Sequence, residues 1–172
     1  MARVMLSQRY KINEFTSGED YMISMYENIV FDKTSQLYFK TLFDILCMDL
    51  DGAILYHCTS GKDRTGITTL FLYTLLGVSE EDILLDYAAS DIFNSEYIKK
   101  RKRMISLFLP TSVRMKSLLF SLLHAKRVYL EETIKKIKDK HGSVLDYLFN
   151  EIKITSQMQE KLRNKYLEKG TT

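Results

Sequence analysis

Ala53-Ile54-Leu55-Tyr56-His57-Cys58, Thr59-Ser60-Gly61-Lys62-Asp63-Arg64-Thr65-Gly66 and Ile67-Thr68-Thr69-Leu70-Phe71-Leu72-Tyr73-Thr74-Leu75-Leu76-Gly77 follow one another without a break. They are an apolar run, a glycine-containing loop and a second apolar run. The Asp51-Gly52 turn signal ahead of Ala53–Cys58 predicts a short buried strand there. The second run is too long for a strand and apolar nearly all round, which predicts a central buried helix ended by Gly77. One strand feeding a buried helix in a largely helical chain points to an α/β fold with a strand–loop–helix core.

The flanking sequence has helical spacing. Residues 20–50 read as two helices broken near Phe31–Ser35, with Thr34 or Ser35 as the cap of the second. Ser79 precedes Glu80-Glu81-Asp82 as an N-cap with acidic residues in the first turn. A helix from Ser95 stops at or before Leu109 because Pro110 follows. Arg114 to about Lys140 makes one long helix or two, closed by His141-Gly142, with Ser143 and Thr155 or Ser156 capping two further helices.

The chain has 172 residues, of which 45% are hydrophobic and 27% charged. That is the size and mix of one globular domain, 1–172. No apolar run approaches the roughly 20 residues that a membrane span needs. The opening MARVMLSQRYK lacks a signal-peptide core. Two cysteines, Cys47 and Cys58, make no disulfide framework, which argues for a reducing, cytoplasmic setting, with secretion left open, or for a catalytic thiol.

The net charge of +3 hides an asymmetry: 7 Lys+Arg against 15 Asp+Glu over residues 1–97, and 18 against 7 over residues 98–172. That argues against a uniformly basic nucleic-acid binder and for one basic face. Lys99, Lys100, Arg101, Lys102 and Arg103 are five consecutive cations that splay around a helix, a solvated face or a contact for an anionic membrane surface.

The loop carries the chemistry. Amides of a tight strand-to-helix loop converge on one point, and the helix N-terminus adds partial positive charge, so a phosphate fits there. The same field favours a thiolate at Cys58, a nucleophile near neutral pH. Arg64 offers a bidentate fork to phosphoryl oxygens. Gly61 permits close backbone approach and positive φ. Thr65 is placed to donate its hydroxyl to the sulfur, and His57 to fix the loop.

HCTSGKDRTG resembles the signature of the cysteine-dependent protein tyrosine phosphatase superfamily, and its Lys-Asp pair resembles the bacterial tyrosine/lipid phosphatases with a GKDRTG loop. The ending HGSVLDYLFNEIKITSQMQEKLRNKYLEKG is also similar, so the resemblance covers roughly residues 20–170. It implies a phosphatase-like sheet and hydrolysis of phosphomonoesters, either phosphotyrosine proteins or phosphoinositides, through a cysteinyl-phosphate and with no cofactor or metal. By position, Cys58 would be the nucleophile, Arg64 the phosphoryl ligand and Asp63 the general acid/base. Thr59, Ser60, Gly61, Lys62, Thr65 and Gly66 would line the phosphate site, with Lys62 serving multiply phosphorylated head groups and His57 in support.

The family carries a longer stretch, with several strands and an Asp-Leu-Arg segment, before this loop, whereas the segment ahead of Cys58 here runs only from Met1 to His57. The chain is then a fragment incomplete at its N-terminus, a naturally short member or one piece of an assembly, in which another copy of the chain or a second polypeptide is expected to supply the missing strands. The alternative function is a truncated or inactive phosphate-binding module needing such a partner.

Other residues read more plainly. Cys47 sits among Leu42, Ile45, Leu46 and Leu50 as a small core residue rather than a redox partner of Cys58, and His124 and His141 lack metal-ligand spacing. The stripe Leu118, Leu119, Leu122, Leu123 and the pair Ile134, Ile137 are core faces, with the eleven tyrosines at core edges.

Overall fold

A computed structural model describes residues 15–108 and 112–168 of the chain. Helix α1 (Gly18–Phe31) and α2 (Lys33–Leu46) come first. Asp32 separates them with an extended ψ of 129°, and its carboxylate accepts from the Ser35 amide at 2.7 Å. The cap is therefore Asp32, not Thr34 or Ser35: the residue that breaks α1 also supplies the acceptor for α2.

α3 (Asp63–Leu76) is the central helix. Ile67, Leu70, Phe71, Leu72 and Leu75 are buried around its circumference, and Gly77 closes it. α4 (Glu80–Phe93) is capped by Ser79, whose oxygen accepts from the Asp82 amide. α5 (Ser95–Phe108) follows after one residue, Asn94. Leu109 and Pro110, expected to stop it, lie outside the described residues, as does the MARVMLSQRYK stretch.

Residues 113–141 form two helices, α6 (Val113–Ser121) and α7 (Arg127–His141), parted at 122–126. α8 (Val144–Asn150) and α9 (Ser156–Tyr166) start at the caps Ser143 and Thr155.

The expected α/β fold with a phosphatase-like sheet is not what forms: the described residues contain helices and no strand. Residues 53–58 are extended and do alternate, with Ile54, Tyr56 and Cys58 turned inward and Ala53, Leu55 and His57 outward. A pleated segment becomes a strand only when a second one shares its ladder of amides and carbonyls, and none of the described residues does. The segment is held by side chains instead. Ile54 and Tyr56 pack on the core, and the Tyr56 hydroxyl lies 3.0 Å from Thr69 Oγ1 on α3.

The core joins α1, α2, α3, α4, α7, α8 and α9. Aromatic rings occupy its centre rather than its edges, since Tyr26, Tyr129 and Tyr147 are fully buried beside Phe43 and Phe71. Phe71 meets Phe39 edge-on at 5.1 Å and Tyr147 at 5.6 Å. These are the offset arrangements that ring quadrupoles favour. A buried tyrosine oxygen is best tolerated with a partner, and two of these three have one. Tyr147 finds the Val30 carbonyl, and Tyr26 reaches toward the loop at the N-terminus of α3.

Candidate active site

The loop from His57 to Lys62 enters α3 so that the first helical turn begins at Asp63. Its curvature comes from Gly61 at φ 60°, whose amide reaches back to the Cys58 carbonyl at 3.4 Å. A side chain there would be strained in a backbone conformation only glycine adopts freely.

Cys58 sits half-buried at the bottom of the loop. Burial pushes its thiol up, but hydrogen bonds from the Thr65 hydroxyl and from the amides of Thr65, Lys62 and Ser60 outweigh that, bringing the pKa from 9.0 down to about 6. The Thr65 hydroxyl is oriented for this, because its oxygen already accepts from the Cys58 amide at 3.0 Å, leaving its proton for the sulfur. The other cysteine contrasts with it. Cys47 lies near the Met158 carbonyl at 3.8 Å, and burial raises its pKa.

Arg64 is exposed on the first turn of α3, and its guanidinium bends back over the loop to Thr59 Oγ1 at 3.4 Å. That contact is long and weak. Thr59 and Ser60 are exposed on the same rim. His57 is exposed and its Nδ1 lies 3.0 Å from the carbonyl of Cys58. The structure thus brings Cys58, Thr59, Ser60, Arg64 and Thr65 together on one loop and the first turn of α3.

Lys62 and Gly66 make contacts toward the interior of the protein, and Asp63 is held from the same side through one of its oxygens. Lys62 is 7% exposed and turned into the protein. Its ammonium donates to the carbonyls of Leu122 at 3.1 Å and His124 at 2.7 Å, and pairs with Asp63 Oδ1 at 3.0 Å. Leu122 is the C-cap of α6, so Lys62 satisfies orphan carbonyls at the negative end of another helix. Asp63 Oδ1 also accepts from the Tyr26 hydroxyl at 2.7 Å. Both contacts fall on Oδ1, which leaves Oδ2 for exchange with substrate or water.

Gly66 is half-buried, with the direction of an added Cβ facing Tyr87 of α4. A Cβ there would meet the Tyr87 ring at 2.7 and 2.8 Å. The absence of a side chain lets Tyr87 of α4 press against α3 and bring its hydroxyl to Tyr26 at 2.5 Å. Burial raises the hydroxyls of Tyr26 and Tyr87 well above the ordinary phenol range, so both stay neutral donors.

Asp91, near the end of α4, completes the support. It holds His124 Nδ1 at 2.6 Å and the Ala125 amide at 2.5 Å, on the segment whose carbonyls receive Lys62. Tyr26, Tyr87, Asp91 and His124 carry no local sequence signal. They are remote from the loop in sequence, and only the packing of α1, α4 and the α6–α7 connection brings them to it.

Comparison with known proteins identifies the family. The sequence model described as the tyrosine phosphatase family matches residues 3–168. A protein of Cupriavidus necator, provisionally named a tyrosine-protein phosphatase, is 34% identical over 115 residues, which is 66% of this chain and 39% of that protein. A tyrosine-protein phosphatase of Nostoc commune is 48% identical over 56 residues, 33% of this chain and 19% of that protein. The matched stretches span about two fifths and one fifth of those relatives' lengths. With the family model matching nearly its whole length, this chain belongs to the tyrosine phosphatase family.

Proposed function

We propose that the chain hydrolyses phosphomonoesters of phosphotyrosine type through a cysteinyl-phosphate on Cys58. The observation that carries this is the thiol at about 6, bound by the Thr65 hydroxyl and three loop amides, with Arg64 on the same rim. A thiolate is present at neutral pH, and the donors that stabilise it are the ones an incoming phosphoryl group requires.

In the first step the Cys58 sulfur attacks phosphorus. The S–P bond forms as the bond from phosphorus to the leaving oxygen breaks, and Asp63, which enters this step protonated on Oδ2, passes that proton to the leaving oxygen. Arg64 and the loop amides hold the non-bridging oxygens, whose charge is spread most widely in the transition state. In the second step Asp63 takes a proton from water as the water oxygen attacks phosphorus. The S–P bond breaks, the electron pair returns to sulfur, and the Thr65 hydroxyl receives the thiolate.

Phosphotyrosine is the preferred substrate class because the cation that would serve a multiply phosphorylated head group, Lys62, is engaged with Leu122, His124 and Asp63. Hydrolysis of p-nitrophenyl phosphate with chelator and reductant present tests the reading. Turnover that disappears in Cys58→Ser and falls steeply in Arg64→Lys is expected. Turnover retained in Cys58→Ser would overturn the mechanism. Phosphate binding with no turnover would favour a phosphate-binding module.

A further inference from the structure

We infer that the outer face of α5 is a docking surface for an anionic lipid bilayer. The helix has two apolar sides, and the fold accounts for only one. Ile98, Lys102 and Ile105 form the inner side, with Ile98 5% exposed and the Lys102 ammonium over the Phe120 ring of α6. On the other side Tyr97, Met104, Leu107 and Phe108 fall within about 100° of arc. They are 51, 43, 65 and 75% exposed. The flanking residues repeat the pattern: Ile92 and Phe93 at the end of α4, and Val113 at the start of α6, are 74, 87 and 87% exposed.

The charges decide what covers this face. Of the five consecutive cations, Lys99 is paired with Glu96 and Lys102 points inward. Arg101 lies over the Tyr97 ring, donating to its hydroxyl. Lys100 falls within the apolar arc and Arg103 beside it, and neither forms an ion pair with a described carboxylate. Apolar and aromatic side chains interleaved with unpaired cations along one side of a helix match the boundary of a charged bilayer. There the apolar groups sit below the head groups, and basic side chains reach up to anionic phosphates. An acidic protein surface would satisfy Lys100 and Arg103 but leave Leu107 and Phe108 no reason to be so exposed.

No helix among the described residues is long and apolar enough to cross a membrane, so α5 would lie on the surface. The surface is independent of the phosphoryl-transfer reading, because a chain with no turnover would still dock.

Co-sedimentation of the full chain with vesicles tests this. Binding is expected to vesicles of phosphatidylcholine with phosphatidylserine and not to phosphatidylcholine alone. It should be lost near 1 M salt, where the screening length is about 3 Å. Lys100→Gln with Arg103→Gln should lower partitioning about 30-fold, at roughly fivefold per basic residue. Lys135→Gln with Lys153→Gln, which makes the same change of charge on exposed positions elsewhere, should change it less than about fivefold.

Leu107→Ser with Phe108→Ser should also release the chain while its helical circular dichroism is unchanged. Absence of binding to anionic vesicles, or equal loss in the two charge-removing pairs, would overturn the proposal. So would normal binding by the Leu107/Phe108 variant, which would show that charge alone holds the chain to the vesicles and that the apolar arc takes no part.

Discussion

Replacing Thr65 by valine keeps the shape of the side chain and removes its hydroxyl, and the effect should appear at the Cys58 sulfur across the loop. The hydroxyl accepts from the Cys58 amide at 3.0 Å and donates to the Cys58 thiolate. A hydrogen bond to a charged group contributes about 1.5–3 kcal/mol, and about 1.4 kcal/mol corresponds to a tenfold change in acidity. Losing it should move the Cys58 inflection from about 6 to between about 7 and 8. The assay is the rate of alkylation by iodoacetamide as a function of pH, with Cys58 and Cys47 distinguished by mass spectrometry of their peptides. Cys47 serves as an internal control, since burial raises its pKa and it should react only under alkaline conditions. The inflection must be read rather than the rate at one pH, because a thiolate of higher pKa is intrinsically more nucleophilic and partly offsets its lower abundance. A Thr65→Val inflection that stays near 6 would refute the reasoning and assign the thiolate to the loop amides and helix terminus alone.

Three further outcomes follow from the same geometry. Tyr26→Phe removes the hydroxyl that joins Asp63 to Tyr87, and should cost about 1–3 kcal/mol in urea unfolding while lowering turnover through a displaced Asp63; unchanged stability would contradict it. Gly66→Ala drives a methyl into the Tyr87 ring and should destabilise by about 1–3 kcal/mol despite alanine's better helix propensity, as measured by the same denaturation. Because the Cys58 thiol has a lower pKa folded (about 6) than unfolded (9.0), the unfolded chain holds more protons between those values, so stability rises with pH across that window and is lost as pH falls through about 6. Cys58→Ser should flatten that part of the stability–pH curve, and an unchanged slope would show that the thiol is not its source.

How much of this the sequence disclosed depends on the range of the forces involved. Caps are local, and Ser79, Ser143 and Thr155 act where their spacing says they should. Asp32 is harder to single out, because any of three neighbouring polar residues suits a cap and only the backbone at position 32 chooses between them. Ala53–Cys58 has the alternation of a strand and adopts it, yet alternation specifies a pleat and not a neighbour. The positive φ of Gly61 and the entry of the loop into α3 were legible, because a tight turn from an extended segment into a helix needs a glycine there. The inward turn of Lys62 was not, since nothing in GKDRTG reveals that two carbonyls of a distant helix end will arrive beside it. Gly66 belongs to the loop in sequence but to the Tyr87 contact in space.

The reach of Lys62 also sets a timetable. Its two acceptors lie 60 and 62 positions further along the chain, and the Tyr26–Tyr87 contact closes 61. A chain emerging from the ribosome makes the loop and α3 early but holds neither of the Lys62 acceptors until the Leu122–His124 segment is free. Until then the ammonium remains in water, and the entropy of closing so long a span is still to be met. Assembly of the thiolate pocket is therefore a late event in synthesis, and nascent chains halted before His124 should display Cys58 without the support on which its finished setting rests.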